Sequence, residues 1–159
     1  MSTLSIRRAK PTDQPEVESL VCQIMDREFR EAKTAYPMDD IRDIGNFYGG
    51  KGEAFFVALN GHHVIGTVGV KKEDENTALL RRLFVAAEYR HQKVGKSLVE
   101  RVLQFCRESG YGEIVFKATS KMEAAVETLK RSGFELQSRF YLGQIELLKL
   151  SRQLAIEGV

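Results

Sequence analysis

The chain has 159 residues, 43% hydrophobic and 29% charged, with a net charge of only +2. That length builds a full core within one domain, expected to span residues 1–159, and the composition excludes a disordered or fibrous chain. With charge so nearly balanced, and neither a basic face nor a recognised nucleic-acid module in the sequence, a nucleic-acid partner is not expected.

The N-terminal "MSTLSIRRAKPTD" lacks a signal-peptide apolar core, and no run approaches the ~20 apolar residues of a membrane span, so the expected setting is cytoplasmic with no membrane partner. Cys22 and Cys106 sit among apolar residues and read as buried free thiols. No CxxC or Cys/His cluster is present, so no metal is expected.

"LSIRRA" (Leu4–Ala9) alternates apolar and polar and predicts a short strand. Asp13 offers an N-cap with Pro15 in the first turn, and Val17, Leu20, Val21, Ile24 and Met25 recur at helical spacing to about Arg30. A weaker helix starts after Pro37, with Ile41, Ile44 and Tyr48 on one face and Gly49-Gly50 as its stop. "EAFFVAL" and "HVIGTVGV" flank Asn60-Gly61, a strong hairpin signal. "TALLRRLFV" (Thr77–Val85) completes an antiparallel meander after the charged turn "KKEDEN".

An amphipathic helix follows, with Val94, Leu98, Val102 and Cys106 on one face and Gly110 at its end. "EIVFKAT" (Glu113–Thr119) reads as a strand, "KMEAAVETLKRSGF" as a helix stopped at Gly133, and "ELQSRFY" and "QIELLKLS" as a last pair of strands around Leu142-Gly143. The order is that of a single α/β domain with a mixed, mostly antiparallel sheet.

The loop before the amphipathic helix carries the main chemical signal. Arg90-His91-Gln92-Lys93-Val94-Gly95-Lys96-Ser97 matches the phosphate loop G-x-x-x-x-G-K-[ST] except at its first glycine. A nucleoside triphosphatase core is argued against on two grounds. Too few βα units follow, and no later strand ends in an acidic residue able to hold Mg²⁺. A helix N-terminus nevertheless favours anions, and successive loop N–H groups can cradle a phosphate with little help from side chains.

The segment "ALLRRLFVAAEYRHQKVGKSLVERVLQFCRESGYGEIVFKAT" resembles the acetyl-CoA-binding segment of the GNAT acetyltransferase superfamily. That family's loop runs Arg/Gln-x-x-Gly-x-Gly/Ala; Arg90 and Gly95 match its ends, and Lys93 replaces the central glycine. "TSKMEAAVETLKRSGFE", ending its helix in Gly133-Phe134, and "GHHVIGTVGV", a glycine-bearing third strand, resemble further family elements in the right order. The resemblance covers nearly the whole chain. It implies a single-domain GNAT-like α/β fold, a mostly antiparallel sheet flanked by helices.

By that resemblance the chain is an acyltransferase that moves acetyl from acetyl-CoA, without a metal, to a primary amine of a small molecule or peptide. Leu83, Phe84 and Val85 would bind the pantetheine arm through their backbone, with Leu83 contacting the oxyanion. Arg90, His91, Gln92, Lys93, Val94, Gly95, Lys96 and Ser97 would surround the phosphates. Lys93 forces a conformation open to a residue with a Cβ, and it either adds a cation to the phosphates or stays solvated.

The family's tyrosine acid and glutamate base fall at Leu129 and Leu79, both apolar, which leaves a non-catalytic acyl-CoA-binding module as the alternative. Tyr141 is either a substitute acid or a half-buried strand aromatic. Glu73 and Glu75 either reach the site through water or are solvated turn residues. Phe29, Tyr36, Phe47, Tyr48 and Tyr141 are candidates for lining the acceptor site, or are core. Asp39 and Asp40 either attract a cationic amine or stabilise their own helix start. The final strands are candidate edges for a homodimer.

Overall fold

A computed structural model describes residues 4–30 and 37–154. The elements are β1 (Leu4–Arg8), α1 (Gln14–Glu28), α2 (Asp39–Arg42), α3 (Ile44–Phe47), β2 (Ala54–Asn60), β3 (His63–Lys72), β4 (Thr77–Val85), α4 (Val94–Glu108), β5 (Glu113–Thr119), α5 (Glu123–Arg131), β6 (Glu135–Leu142) and β7 (Ile145–Gln153). One seven-stranded sheet runs β1-β2-β3-β4-β5-β7-β6. Every neighbouring pair is antiparallel except β4 and β5.

The strands β2, β3 and β4 are nearly continuous in apolar residues because both faces of the sheet are covered. On one face Phe56, Val68, Leu80 and Ile114 pack with Leu98 and Val102 of α4 and Leu129 of α5. On the other, Phe55, Val57 and Phe84 pack with Val17, Val21 and Met25 of α1 and Ile41 of α2. Gly66 of β3 lies in tight packing, since an added Cβ would stand 3.0 Å from Leu98 Cδ1 and 3.2 Å from the Phe84 carbonyl oxygen.

Both hairpin turns fall one residue later than the sequence suggested. Asn60 pairs with His63 and Leu142 with Ile145, so the turns are Gly61-His62 and Gly143-Gln144. Only the glycines take positive φ, 62° and 63°, as a type II′ turn requires at its first central position. Asn60 is thereby freed from turn duty, and its Nδ2 donates to Tyr89 Oη at 2.9 Å. The expected second helix is two short helical pieces, α2 and α3, broken at Asp43. Cys106 is buried, and burial pushes its thiol up to about 12, so it is not a nucleophile; Cys22 is only half-buried. Among the described residues, no helix is long and apolar enough to cross a membrane, and no group of His, Cys, Asp and Glu could hold a metal ion.

Candidate active site

The sheet opens at the middle of β4. Parallel pairing with β5 runs from Thr77–Glu113 to Leu80–Phe116 and stops, while β4 continues to Val85 and β5 to Thr119. Among the described residues, β4 therefore has no strand partner on its β5 side from Arg81 to Val85. At the same point its register with β3 shifts between Thr67 and Gly69, and Arg82 adopts φ 56°, rare for a residue with a Cβ.

A buried charge network holds this bulge. Arg82 Nε donates to Asp40 Oδ2 at 3.0 Å and its Nη2 to Asp40 Oδ1 at 2.8 Å, with both side chains at least 98% buried. Nη2 also donates to the Pro37 carbonyl, Tyr48 Oη donates to Asp40 Oδ2 at 2.6 Å, and Thr67 Oγ1 donates to the Arg82 carbonyl. The network ties α2 and the residue after α3 to the bulge beside Leu83.

Burial pushes the Asp40 carboxyl up, but the Arg82 hydrogen bonds and charge, with Tyr48 and Arg81, outweigh it and hold the group below the usual carboxylate range. A depressed folded-state value contributes stability above the unfolded value and loses it as pH falls through the folded one. The melting temperature is therefore expected to hold from neutral pH to about pH 5 and to drop below about pH 4, near the unfolded carboxylate value. In Asp40→Asn this drop should be smaller, starting from a lower plateau. An acid limb identical to wild type would show that Asp40 contributes nothing to it.

After β4 the chain makes a short 3-10 turn at Ala87–Tyr89 and enters a left-handed loop, with φ 63° at His91 and 67° at Lys93. The sequence led us to expect a loop conformation open to residues with a Cβ. Instead Lys93 keeps the glycine-type backbone and serves as N-cap of α4. Among the described residues, the first α4 bond is Ser97 N–H to the Lys93 carbonyl at 3.0 Å, which leaves the N–H groups of Val94, Gly95 and Lys96 as open donors at the N-terminus of a 15-residue helix. Ser97 Oγ also donates to Lys93 O, so both Ser97 donors are taken; Gln92 Nε2 donates to the Glu88 carbonyl.

Lys93→Gly should relieve the left-handed strain, raise the melting temperature slightly, and keep CoA affinity within about tenfold, since one exposed charge contributes ~1 kcal/mol or less. Loss of CoA binding in this variant would make the lysine side chain the anchor instead of the backbone.

The splayed strands, the loop and α5 enclose a cleft of about 990 Å³. It brings together Phe29, Leu83, Phe84, Val85, Arg90, His91, Lys93, Val94, Gly95 and Lys96, with Thr128 and Arg131 on the α5 wall. The Leu83 and Phe84 side chains are buried in the two opposite cores, so what they offer the cleft is backbone. A Cβ on Gly95 would meet nothing closer than Thr128 Cγ2 at 3.6 Å and Val85 Cγ2 at 3.7 Å, so the fold itself does not require glycine there. Arg90 spans the cleft mouth: its Nε donates to the Val85 carbonyl at 3.0 Å, and its two terminal nitrogens grip Glu28 at 2.7 Å each.

A second cavity of about 270 Å³ adjoins the first, sharing Glu28, Phe29 and Lys121 with it and adding Arg27, Arg30, Thr119 and Glu146. Of the acceptor candidates among the described residues, only Phe29 lines either cavity. Tyr48 is 4% exposed and serves the Asp40 network, and Phe47 packs on Tyr48 and Lys71. Tyr141 is 70% exposed on the β6 edge, with its hydroxyl 3.3 Å from Glu146. Tyr36 lies outside the described residues. Leu129 is fully buried in the core and Leu79 half-buried opposite Lys71, and neither offers a proton. Asp40 is buried against Arg82 and cannot attract an amine. Glu73 and Glu75 are exposed, the first 3.9 Å from Lys117 and the second paired with Lys72.

The sequence reading missed two ion pairs, Arg82–Asp40 and Arg90–Glu28. The first had a usable signal, because an arginine inside the apolar strand "LLRRLFV" needs a buried counter-charge. The second had none, since Glu28 is one more polar residue at a helix end.

A sheet splayed at its one parallel pair, with a helix N-terminus opening onto the gap, is the architecture of a CoA-dependent acyltransferase domain. The sequence pattern of the acetyltransferase (GNAT) family matches residues 19–134, and the chain belongs to that family. N-acetyltransferase 8B of Rattus norvegicus is 33% identical over 108 residues, which is 64% of this chain and 49% of that protein; the chain thus spans about half the relative's length. A GNAT-family acetyltransferase of Staphylococcus aureus Mu50 superposes with a TM-score of 0.82 at 24% identity, covering 96% of this chain and all of the other (100%). yncA of Salmonella typhimurium, solved with its cofactor acetyl-CoA, superposes at 0.80 with 15% identity, covering 98% and 96%. At these identities the structural likeness establishes the fold.

Proposed function

We propose that the chain catalyses acetyl transfer from acetyl-CoA to a primary amine of a small molecule or peptide. The observation that carries this is the single cleft in which the unpaired stretch of β4, the left-handed loop and the open N–H groups of α4 converge. The bound thioester supplies an activated acyl carbon. The free edge of β4 at Leu83–Val85 takes the pantetheine arm as an added strand. The N–H groups of Val94, Gly95 and Lys96, with the helix dipole behind them, hold the pyrophosphate, and Lys93 and Lys96 add positive charge beside them. The Leu83 N–H donates to the carbonyl oxygen as charge develops on it. The smaller cavity beside Phe29 receives the acceptor.

With apolar residues at Leu79 and Leu129, and Tyr141 lining neither cavity, none of these three positions supplies an acid, and the proposal has sulfur leave as the thiolate. A thiol of pKa ~8.5 permits that. The rate should rise with deprotonation of the amine and level off, and Tyr141→Phe should leave the profile unchanged. An alkaline limb that vanished in Tyr141→Phe would restore Tyr141 as the acid.

Thiol release with acetyl-CoA across a panel of amines, with product masses, tests the whole reading. Release matched by acetylated amine supports it. CoA binding without release would favour the non-catalytic acyl-CoA-binding alternative, which the apolar Leu79 and Leu129 motivate. The proposal also carries over from the sequence a single domain over 1–159, a cytoplasmic setting and self-association through the edge strand β6, where Phe140, Tyr141 and Leu142 are exposed. A monomer by sedimentation at micromolar concentration would remove the last of these.

A further inference from the structure

We infer that Glu28 is the carboxylate that receives the acceptor's amino group, and that its pairing with Arg90 joins the acceptor site to the cofactor loop. This rests on the transfer reading above and deepens it. Acyl transfer requires the amine to arrive where the cofactor cleft meets the smaller cavity. Of the carboxylates lining the two spaces, Glu123 and Glu127 lie only on the α5 wall of the large cleft, and Glu146 only in the small cavity. Among the described residues, Glu28 is the carboxylate that lines both.

Two of the other carboxylates have partners away from the cofactor loop. Glu127 pairs with Arg131, and Glu146 lies 3.6 Å from Arg139 and 3.3 Å from the Tyr141 hydroxyl. Glu28 ends α1, with its side chain 33% exposed. Its two oxygens each accept one bond from Arg90 at 2.7 Å. A carboxylate has about four acceptor positions, so room remains for an amine.

The pairing suits the chemistry. A lone carboxylate would hold the amine as an unreactive ammonium. Beside the fixed Arg90 guanidinium the pair is neutral overall, so it orients the N–H bonds with less electrostatic preference for the charged form. A second polar group in the small cavity has no partner of its own: Thr119, 3% exposed at the end of β5, lines that cavity, and its Oγ1 makes no hydrogen bond among the described residues. Arg90 closes the link, because the same guanidinium that grips Glu28 is bonded to the Val85 carbonyl at the free end of β4.

The test measures CoA affinity by calorimetry, and acceptor KM and kcat by thiol release, on wild type, Glu28→Gln and Arg90→Gln. The acceptor probes are benzylamine, lysine amide and a dipeptide with a free amino terminus. Losing a charged hydrogen-bond partner should raise acceptor KM roughly tenfold or more in Glu28→Gln. CoA affinity should stay within about fivefold, because a part-exposed ion pair contributes little to the loop. Arg90→Gln should weaken CoA binding as well as acceptor use. Unchanged acceptor KM in Glu28→Gln, with CoA affinity falling as in Arg90→Gln, would overturn the inference and reduce Glu28 to a brace for Arg90. If wild type released no thiol with any probe, the transfer reading would fail and take this inference with it.

Discussion

Gly95→Val is expected to abolish CoA binding while leaving the protein folded. The added Cβ finds ordinary van der Waals distances, 3.6 Å to Thr128 and 3.7 Å to Val85, and the two γ-methyls must rotate clear of those side chains, so Gly95→Ala, which adds the Cβ alone, is the companion variant that should melt near wild type. Gly95 sits in the middle of the run of open N–H groups at Val94, Gly95 and Lys96, where a phosphate must come within hydrogen-bond distance and a bulkier residue crowds its approach. In wild type, CoA at about a hundred times its dissociation constant should add roughly 2.7 kcal/mol of stability. Gly95→Val should stay folded without ligand and show no shift at millimolar CoA. A full shift in Gly95→Val would mean that the phosphates lie elsewhere.

Asp40→Asn is expected to carry the largest stability cost. It leaves the Arg82 guanidinium buried without its carboxylate, and breaking such a pair costs about 3–5 kcal/mol. For a chain of this size that lowers the melting temperature on the order of 10 °C. Function should suffer separately, because the network fixes the left-handed Arg82 immediately before Leu83. The double variant Asp40→Leu with Arg82→Met removes both charges and should recover much of the stability, as apolar replacement of buried pairs often does. Its kcat should stay low, because nothing then holds the bulge. Full recovery of kcat together with stability would show that the network serves only to hold the fold.

What could be read from the sequence was local. "TALLRRLFV" and "EIVFKAT" gave strand bounds that the structure matches residue for residue, because apolar runs bounded by turn residues define a buried strand. The helix from Val94 was equally plain from its single apolar face. The cofactor loop was visible because its spacing encodes a backbone shape. The loop's actual conformation was not, since a lysine at φ 67° is held by surroundings rather than by its own preference. The first hairpin turn slipped by one residue because an Asn before a Gly can be turn or strand end, and here Asn60 ends the strand and bonds the Tyr89 hydroxyl; at the second, Leu142 pairs with Ile145 as the strand end.

Long-range pairs lay beyond any local pattern. Asp40 and Arg82 are 42 residues apart, and Glu28 and Arg90 are 62. Asp40 looked like a solvated helix acid or an amine lure because the reading stopped at its own helix. Only the tertiary opening of the sheet between β4 and β5 explains why one pair is buried behind the bulge in β4 and the other lines the cleft that the opening leaves.

The crystal structure of a CoA complex tests the central claim most directly. The expected density runs the pantetheine arm along Leu83–Val85 in the gap between β4 and β5, sets the pyrophosphate against the N–H groups of Val94, Gly95 and Lys96, and leaves the sulfur facing the Glu28–Phe29 junction. CoA bound with its pyrophosphate away from the α4 N-terminus, or its pantetheine outside the β4–β5 gap, would contradict it.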